Sequence, residues 1–304
     1  MKQVVLITGG SGLLALNWAL EMRDEHTIIL GFHHRKLHLS GVQLQSVNLD
    51  SVDNVTRALD EIMPQVVIHT AGLTNVEQCE TDPDLARFTN VEIAANVARA
   101  CAKRGVRLIH ISTDHLFKGD LPLVDELQPV SPINTYGLTK AEAEQQVLAA
   151  HPEALILRTN FYGWGPSYRK SFSDVIIQSL RNGIELTLFD DVYYTPILIE
   201  PLVLASHDLV HHNATGIFNM VGDERVSKYE FGLKLAEKFG LETSLIKRGS
   251  LASHAGLVRR PQDMSLSNQK VCSFLGRKLG SVAQHIEILY QQEQNGFAQE
   301  IQQQ

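Results

Sequence analysis

Tyr136 and Lys140 stand four residues apart in Tyr-Gly-Leu-Thr-Lys, a spacing that puts both side chains on one face of a helix. A free phenol has a pKa of about 10 and is a poor acid or base near neutrality. A lysine ammonium beside it favours the phenolate and lowers that value, and the same ammonium can hydrogen-bond a ribose. Such a pair also occurs on ordinary exposed helix faces, so its meaning depends on its company. That company is Ser112-Thr113-Asp114, which closes the apolar run Val106–Ile111 and so lies at the carboxyl end of a strand, where doubly wound folds bind ligands. Thr113 can hydrogen-bond a substrate carbonyl there while Tyr136 protonates it.

A second chemical signal lies near the start of the chain. Thr8-Gly9-Gly10-Ser11-Gly12-Leu13-Leu14-Ala15 follows one apolar run and opens a helical one. Glycines let the backbone turn tightly against a pyrophosphate, and the helix N-terminus offers it free N–H groups and partial positive charge. Gly9, Ser11, Gly12 and Leu13 are therefore candidate cofactor contacts, with Ala15 small enough for close helix–strand packing. The next strand ends in Phe32-His33-His34-Arg35-Lys36, without the acid that holds the ribose 2′-hydroxyl in NAD sites. Arg35 with His34 or Lys36 can hold a 2′-phosphate that a carboxylate would repel, so the sequence favours NADP(H) over NAD(H).

The elements that must position these residues follow from hydrophobic patterning. Val4–Thr8, Thr27–Phe32, Val42–Val47, Gln65–Ala71, Val106–Ser112 and Ala154–Thr159 are nearly continuous apolar runs, the pattern of strands buried on both faces. Helical stretches at Leu13–Arg23, Ser51–Ile62, Asp84–Lys103 and Asn134–Ala150 alternate with them. The expected fold is α/β: a doubly wound parallel Rossmann sheet with a smaller C-terminal α/β substrate-binding lobe. Beyond Thr159 the spacing predicts helices at Phe172–Asn182, Glu200–His212, Ser227–Phe239 and Val282–Asn295, with strands at Leu186–Phe189 and Gly216–Met220. Ser227 with Glu230 reads as a capping box, and the glutamine-rich Gln299–Gln304 as a frayed end. Residues 1–158 with about 183–222 are assigned to dinucleotide binding, and about 159–182 with 223–304 to the substrate.

Bulk properties narrow the class. The 304 residues are 44% hydrophobic and 20% charged, with a formal net charge of −7, which argues against a general nucleic-acid binder. Three widely spaced cysteines make neither a disulfide framework nor a zinc spacing and read as reduced thiols of a cytoplasmic protein. No signal-peptide pattern or membrane-spanning run is seen, and no metal site is expected among the 13 histidines. His69 and His110, in strands, read as core histidines.

With these motifs in order, the chain resembles the extended short-chain dehydrogenase/reductases, and within them the dTDP-4-dehydrorhamnose reductases. Further landmarks are Ala71-Gly72-Leu73-Thr74-Asn75-Val76-Glu77, Ser112-Thr113-Asp114-His115-Leu116-Phe117, Phe189-Asp190-Asp191 with Thr195-Pro196, and Arg259-Arg260-Pro261. The resemblance implies a Thr113/Tyr136/Lys140 triad passing hydride to position 4 of a nucleotide-linked keto-deoxy-sugar, within deoxysugar biosynthesis for cell-surface polysaccharide. It puts Asn48 and Leu49 at the adenine, and Ala71, Gly72, Asn90 and Ser112 along the cofactor. Thr159, Asn160 and Phe161 would lie over the nicotinamide. It places Thr74, Asn75, His115, Tyr162, Trp164, Thr195, Arg259 and Arg260 toward the nucleotide-sugar, and it allows a homodimer. Related dehydratases carry Glu where this chain has His115, which argues for simple reduction. The rhamnose reductases usually carry Tyr there, and Gln-Gly within the stretch held by Val192-Tyr193-Tyr194, so the sugar pocket differs. Two other readings use the same scaffold: an NADP-binding regulatory subunit resembling that of methionine adenosyltransferase, and a nucleotide-sugar epimerase.

Overall fold

The computed structural model describes residues 2–304 except positions 34, 36, 254, 255 and 257. Its first strands are β1 (Val4–Thr8), β2 (Thr27–Phe32), β3 (Gln43–Ser46), β4 (Val66–His69), β5 (Arg107–Ile111) and β6 (Leu155–Arg158). Then come β7 (Phe161–Tyr162), β8 (Leu186–Phe189), β9 (Tyr193–Tyr194), β10 (Ile197–Leu198), β11 (Gly216–Asn219), β12 (Val226–Ser227) and β13 (Ile246–Gly249). A seven-stranded sheet has the order β11-β6-β5-β4-β1-β2-β3, with every neighbouring pair parallel. The order reverses between β1 and β4, which opens a ligand crevice at the carboxyl ends of these strands.

Helices α1 (Leu13–Met22), α2 (Val52–Ile62), α3 (Val76–Thr81), α4 (Pro83–Arg87), α5 (Ile93–Arg104) and α6 (Thr135–Ala150) belong to the first half. The second half supplies α7 (Phe172–Arg181), α8 (Ile199–His211), α9 (Lys228–Lys238), α10 (Gln269–Leu275), α11 (Val282–Gln294) and α12 (Phe297–Gln302). Strand alternation sends Val5 and Ile7 to one face of the sheet and Leu6 to the other, so each strand feeds two cores. The Leu6 side packs against Val55 and Leu59 of α2, Val97 and Cys101 of α5, and Ala143 and Val147 of α6. The Val5 side runs without a break from Leu14 and Trp18 of α1 to Phe231 of α9 and Leu289 of α11. Each large apolar side chain buried in this way contributes about 1.5–3 kcal/mol against chain entropy.

Several sequence expectations are corrected. The strand at Leu186–Phe189, expected with the dinucleotide-binding part, lies outside the seven-stranded sheet and pairs with β13 in a separate two-stranded sheet. The single helix expected over Asp84–Lys103 is interrupted by a π-helical turn at Phe88–Glu92. The glutamine-rich end is helical because Ala298 and Ile301, three residues apart, are 1% and 0% exposed in the core. Arg23 fixes that helix further through both carboxylate oxygens of Glu300 at 2.5 and 2.9 Å. The expected capping box at Ser227 and Glu230 is present, with reciprocal hydrogen bonds of 3.1 and 2.7 Å.

Candidate active site

The glycine turn meets the requirements of a dinucleotide cradle. Gly9 has φ +70°, and a Cβ there would stand 2.8 Å from the Ala71 nitrogen, so a side chain is excluded twice over. Gly12 caps α1 without a side-chain hydrogen bond, and no acid occupies the first helical turn. The N-terminal amides of α1 are thus free of side-chain competition for an anionic diphosphate. A cavity of about 300 Å³ lies on one side of the turn, bordered by Gly9, Ser11, Gly31, Arg35, Leu49 and Asp50. A second, of about 320 Å³, begins at Gly12 and Leu13 and continues past Ala71 and Gly72 to Ser112, Thr113, Tyr136 and Lys140. Ala71 borders both cavities, so one extended ligand can cross the turn from one to the other.

Local packing brings Tyr136 to Thr113. Asn134 caps α6, its Oδ1 accepting from the Gly137 amide at 2.8 Å. A Cβ on Gly137 would lie 2.3 Å from the His115 carbonyl oxygen, so only glycine lets the start of α6 approach the 113–115 turn this closely. Tyr136 is 8% exposed, and burial pushes its phenol up to about 12 against the opposing hydrogen bond with Thr113. This corrects the expectation of a lysine-lowered phenol. The Lys140 ammonium instead donates to the Ile111 carbonyl at 2.6 Å and lies 3.5 Å from His110 Nε2. Burial lowers Lys140 to about 8, with Glu144 opposing the shift. The shift makes the phenol a weaker acid, but it still carries a proton at neutral pH, and transfer to the strongly basic alkoxide that forms in carbonyl reduction is downhill.

A buried polar frame supports the pair. Glu144 of α6 accepts from Ser112 Oγ at 2.6 Å and from Arg158 Nη2 of β6 at 2.7 Å, tying the helix to two strand ends. Removing one member of such a buried ion pair costs about 3–5 kcal/mol, because the other charge is left unpaired. Asn90 sits in the π-helical turn, its Oδ1 accepting from the Leu73 amide at 2.7 Å and its Nδ2 donating to Thr139 Oγ1 at 3.0 Å. A π turn re-aims a side chain out of the helical register, and such turns concentrate at functional sites. His69 and His110, each 1% exposed, are stacked at 5.4 Å beneath Lys140, and burial drives both well down toward the neutral form.

Most of the expected residues converge. Thr74, Asn90, His115, Thr159, Asn160 and Phe161 border the larger cavity with the triad. His115 lies edge-on to the Tyr136 ring at 5.4 Å, and its buried Nδ1 has no hydrogen-bond partner among the described residues. Others serve the frame. Trp164 is 1% exposed and donates to the Leu289 carbonyl at 3.3 Å, so it packs the lobe and is unavailable to stack on a base. Tyr162 is equally enclosed, edge-on to Phe231. Thr195 Oγ1 accepts from the Leu266 amide, Asn48 Oδ1 accepts from the Asp50 amide, and Asn75 caps α3. Arg260 pairs with Glu77, while Arg259 is exposed and lends its carbonyl to Asn134. His34 and Lys36 lie outside the described residues.

Sequence reasoning gave no role to Asp114, Arg169 or Lys228, and it left Tyr168 between stacking on the nucleotide base and packing the smaller lobe. Asp114 accepts from Asn160 Nδ2 at 2.5 Å, and Arg169 borders the larger cavity. The Lys228 ammonium lies 3.4 Å from the Tyr194 ring centre, where burial lowers it to about 8 while Asp114 opposes the shift. No motif marks Tyr168, Arg169 or Lys228; only tertiary packing brings them toward Asp114 and the cavity. Among the described residues no cluster of three or more His, Cys, Asp or Glu is placed to hold a metal ion. No helix among them is long and apolar enough to cross a membrane.

A parallel dinucleotide fold with a Thr/Tyr/Lys constellation at its strand ends defines an oxidoreductase of the extended short-chain dehydrogenase/reductase class. Within that class the chain belongs to the family described as the RmlD substrate binding domain, whose model matches residues 1–295. It is similar to the dTDP-4-dehydrorhamnose reductase of Bacillus anthracis str. Ames in complex with NADP, at TM-score 0.85 and 26% identity, covering 96% of this chain and 100% of that one. The probable low-salt glycan biosynthesis reductase Agl14 of Haloferax volcanii is 28% identical over 89% of this chain and 91% of its own length. The methionine adenosyltransferase 2 subunit beta of Mus musculus is also 28% identical, over 88% and 81%.

Proposed function

We propose that the protein reduces the 4-keto group of a nucleotide-linked 6-deoxy-sugar with NADPH. One observation carries the reading: a buried Tyr136 stands beside Thr113 on a cavity that begins at the α1 N-terminus. When bound, the nicotinamide cofactor supplies the hydride. Thr113 orients the carbonyl oxygen and Tyr136 hands it a proton, while Lys140, fixed by the Ile111 carbonyl, is placed to hold ribose hydroxyls. The free α1 amides suit the cofactor diphosphate, and Arg35 at the adenosine end supports NADP(H) over NAD(H). Arg169 on the cavity, with Lys228 and Arg260 close enough to influence His115, concentrates cations where a nucleotide-sugar diphosphate would lie. A His in place of a Glu at position 115 supports reduction over dehydration. Deoxysugar biosynthesis for cell-surface polysaccharide is the setting this chemistry fits. The cytoplasm, where thiols stay reduced, suits the free Cys79, Cys101 and Cys272.

The test is NADPH oxidation by the purified protein across a panel of nucleotide-linked 4-keto-6-deoxy-sugars, with Tyr136→Phe alongside. Turnover with one sugar is expected, falling by a factor on the order of 10²–10⁴ in the variant while NADPH still binds. NADPH binding without turnover on any sugar would favour a regulatory subunit. Isomerisation without net NADPH consumption would favour an epimerase.

A further inference from the structure

The segment between β7 and α7 crosses from the substrate lobe to the phosphate turn. Tyr168 in it donates its hydroxyl hydrogen to the Ser11 carbonyl at 2.7 Å. The Arg35 guanidinium lies over the Tyr168 ring, 3.8 Å from its centre. Neighbouring contacts fix the segment: Arg169 Nη2 donates to Thr74 Oγ1 at 2.6 Å and Ser167 Oγ donates to the Gln304 carbonyl at 3.2 Å. At Gly165 a Cβ would come within 2.3 Å of the Arg169 carbonyl oxygen, so the segment is folded back tightly on itself. Tyr168 is therefore held at the junction of the phosphate turn and the loop after β2.

We infer that Tyr168 is the residue that makes Arg35 selective for a cofactor 2′-phosphate. The inference rests on the NADP(H) reading above. A guanidinium stacked on a ring spends its face and keeps its in-plane N–H donors for an oxyanion. Arg35 is exposed and has no carboxylate partner among the described residues, so those donors are not committed to an ion pair there. It borders the cavity with Ser11, Gly31 and Leu49, beyond the end of β2, where the adenosine ribose binds in folds of this topology. An unsupported arginine on a loop must freeze its side chain when it binds phosphate. Stacking on Tyr168 sets that geometry beforehand, and this lowers the entropic cost for the phosphorylated cofactor only.

The experiment compares binding of NADPH and NADH, read by quenching of protein fluorescence, in four proteins: wild type, Tyr168→Phe, Tyr168→Leu and Arg35→Ser. Wild type is expected to bind NADPH more tightly. Tyr168→Phe retains the ring and should keep most of that preference. Tyr168→Leu should weaken NADPH by a factor on the order of ten, as losing one well-placed charged contact does, and leave NADH unchanged. Retained NADH binding also reports an intact fold. Adding Tyr168→Leu to Arg35→Ser should then cost nothing further, because the tyrosine acts through the arginine. Equal weakening of both cofactors by Tyr168→Leu, or no weakening of either, overturns the inference while leaving the NADP(H) reading in place. Equal affinity of the wild type for both cofactors overturns that reading and the inference with it.

Discussion

Burial acts in opposite directions on the two members of the Tyr/Lys pair. It holds the Tyr136 phenol protonated, up to about 12, and weakens the Lys140 ammonium, down to about 8. Across the working pH range only the lysine changes charge. Below about 8 it is a cation able to hold ribose hydroxyls, and above that value the charge is lost. The kcat/KM for the keto-sugar is therefore expected to fall as pH rises through about 8, with Tyr136 contributing no step there. In Lys140→Arg that alkaline limb should shrink to what Lys228, also lowered to about 8, contributes, because arginine does not titrate in this range, while the plateau drops through imperfect fit. A limb that persists unchanged in Lys140→Arg would assign the titration to another group. The residue types and their spacing were legible in the sequence. The sense of the phenol's shift was not, because desolvation depends on how the 113–115 turn and α6 close over the ring.

At the scale of elements, α1, α8 and α11 meet at a polar seam. Gln292 Nε2 donates to Glu21 at 3.1 Å and to Glu200 at 3.0 Å, and the buried Gln292 Oε1 atom has no hydrogen-bond partner among the described residues. Burial, reinforced by the neighbouring Glu200 charge, raises Glu21 from 4.5 to about 8. The folded protein thus holds a proton that the unfolded chain releases, so this site favours folding most below about 4.5 and progressively less as pH rises through about 8. Glu21→Gln removes that dependence and offers an amide N–H to the orphaned Gln292 oxygen. It is expected to stabilise the protein at pH 8 by at least about 1 kcal/mol, roughly one pKa unit's worth, and to gain little at pH 5. Urea unfolding at the two pH values measures this, and an equal gain at both would refute the linkage. Helix existence here followed from apolar periodicity, whereas the meeting of two glutamates depends on the angle at which α8 crosses α1.

Over the whole molecule, one apolar core runs from the central sheet through the lobe to the C-terminal helix. Ile301, fully enclosed, closes that core beside α1. Ile301→Ala is expected to destabilise by about 2–5 kcal/mol, read as a fall in Tm, although only three residues follow it in the sequence. A fall of under about 1 °C would mean that the terminal helix is thermodynamically detached. The docking of α12 also brings Gln304 against Ser167 and the His38 amide, so the last residue touches both the Tyr168 segment and the loop after β2.

Local patterning determined the alternating strands and helices, the glycine turn and the order of the Thr113, Tyr136 and Lys140 signals. Each is written within a few consecutive residues: apolar runs for strands buried on both faces, glycines for a backbone that must approach phosphate, and a four-residue spacing for one helix face. Tertiary structure alone decided that Trp164 belongs to the core, that a π turn aims Asn90 inward and that β8 joins β13. The stacking of Tyr168 on Arg35 joins residues 133 positions apart (168 − 35). No local pattern encodes such a contact, because it forms only when the lobe packs against the sheet and one continuous core fixes the distance between them.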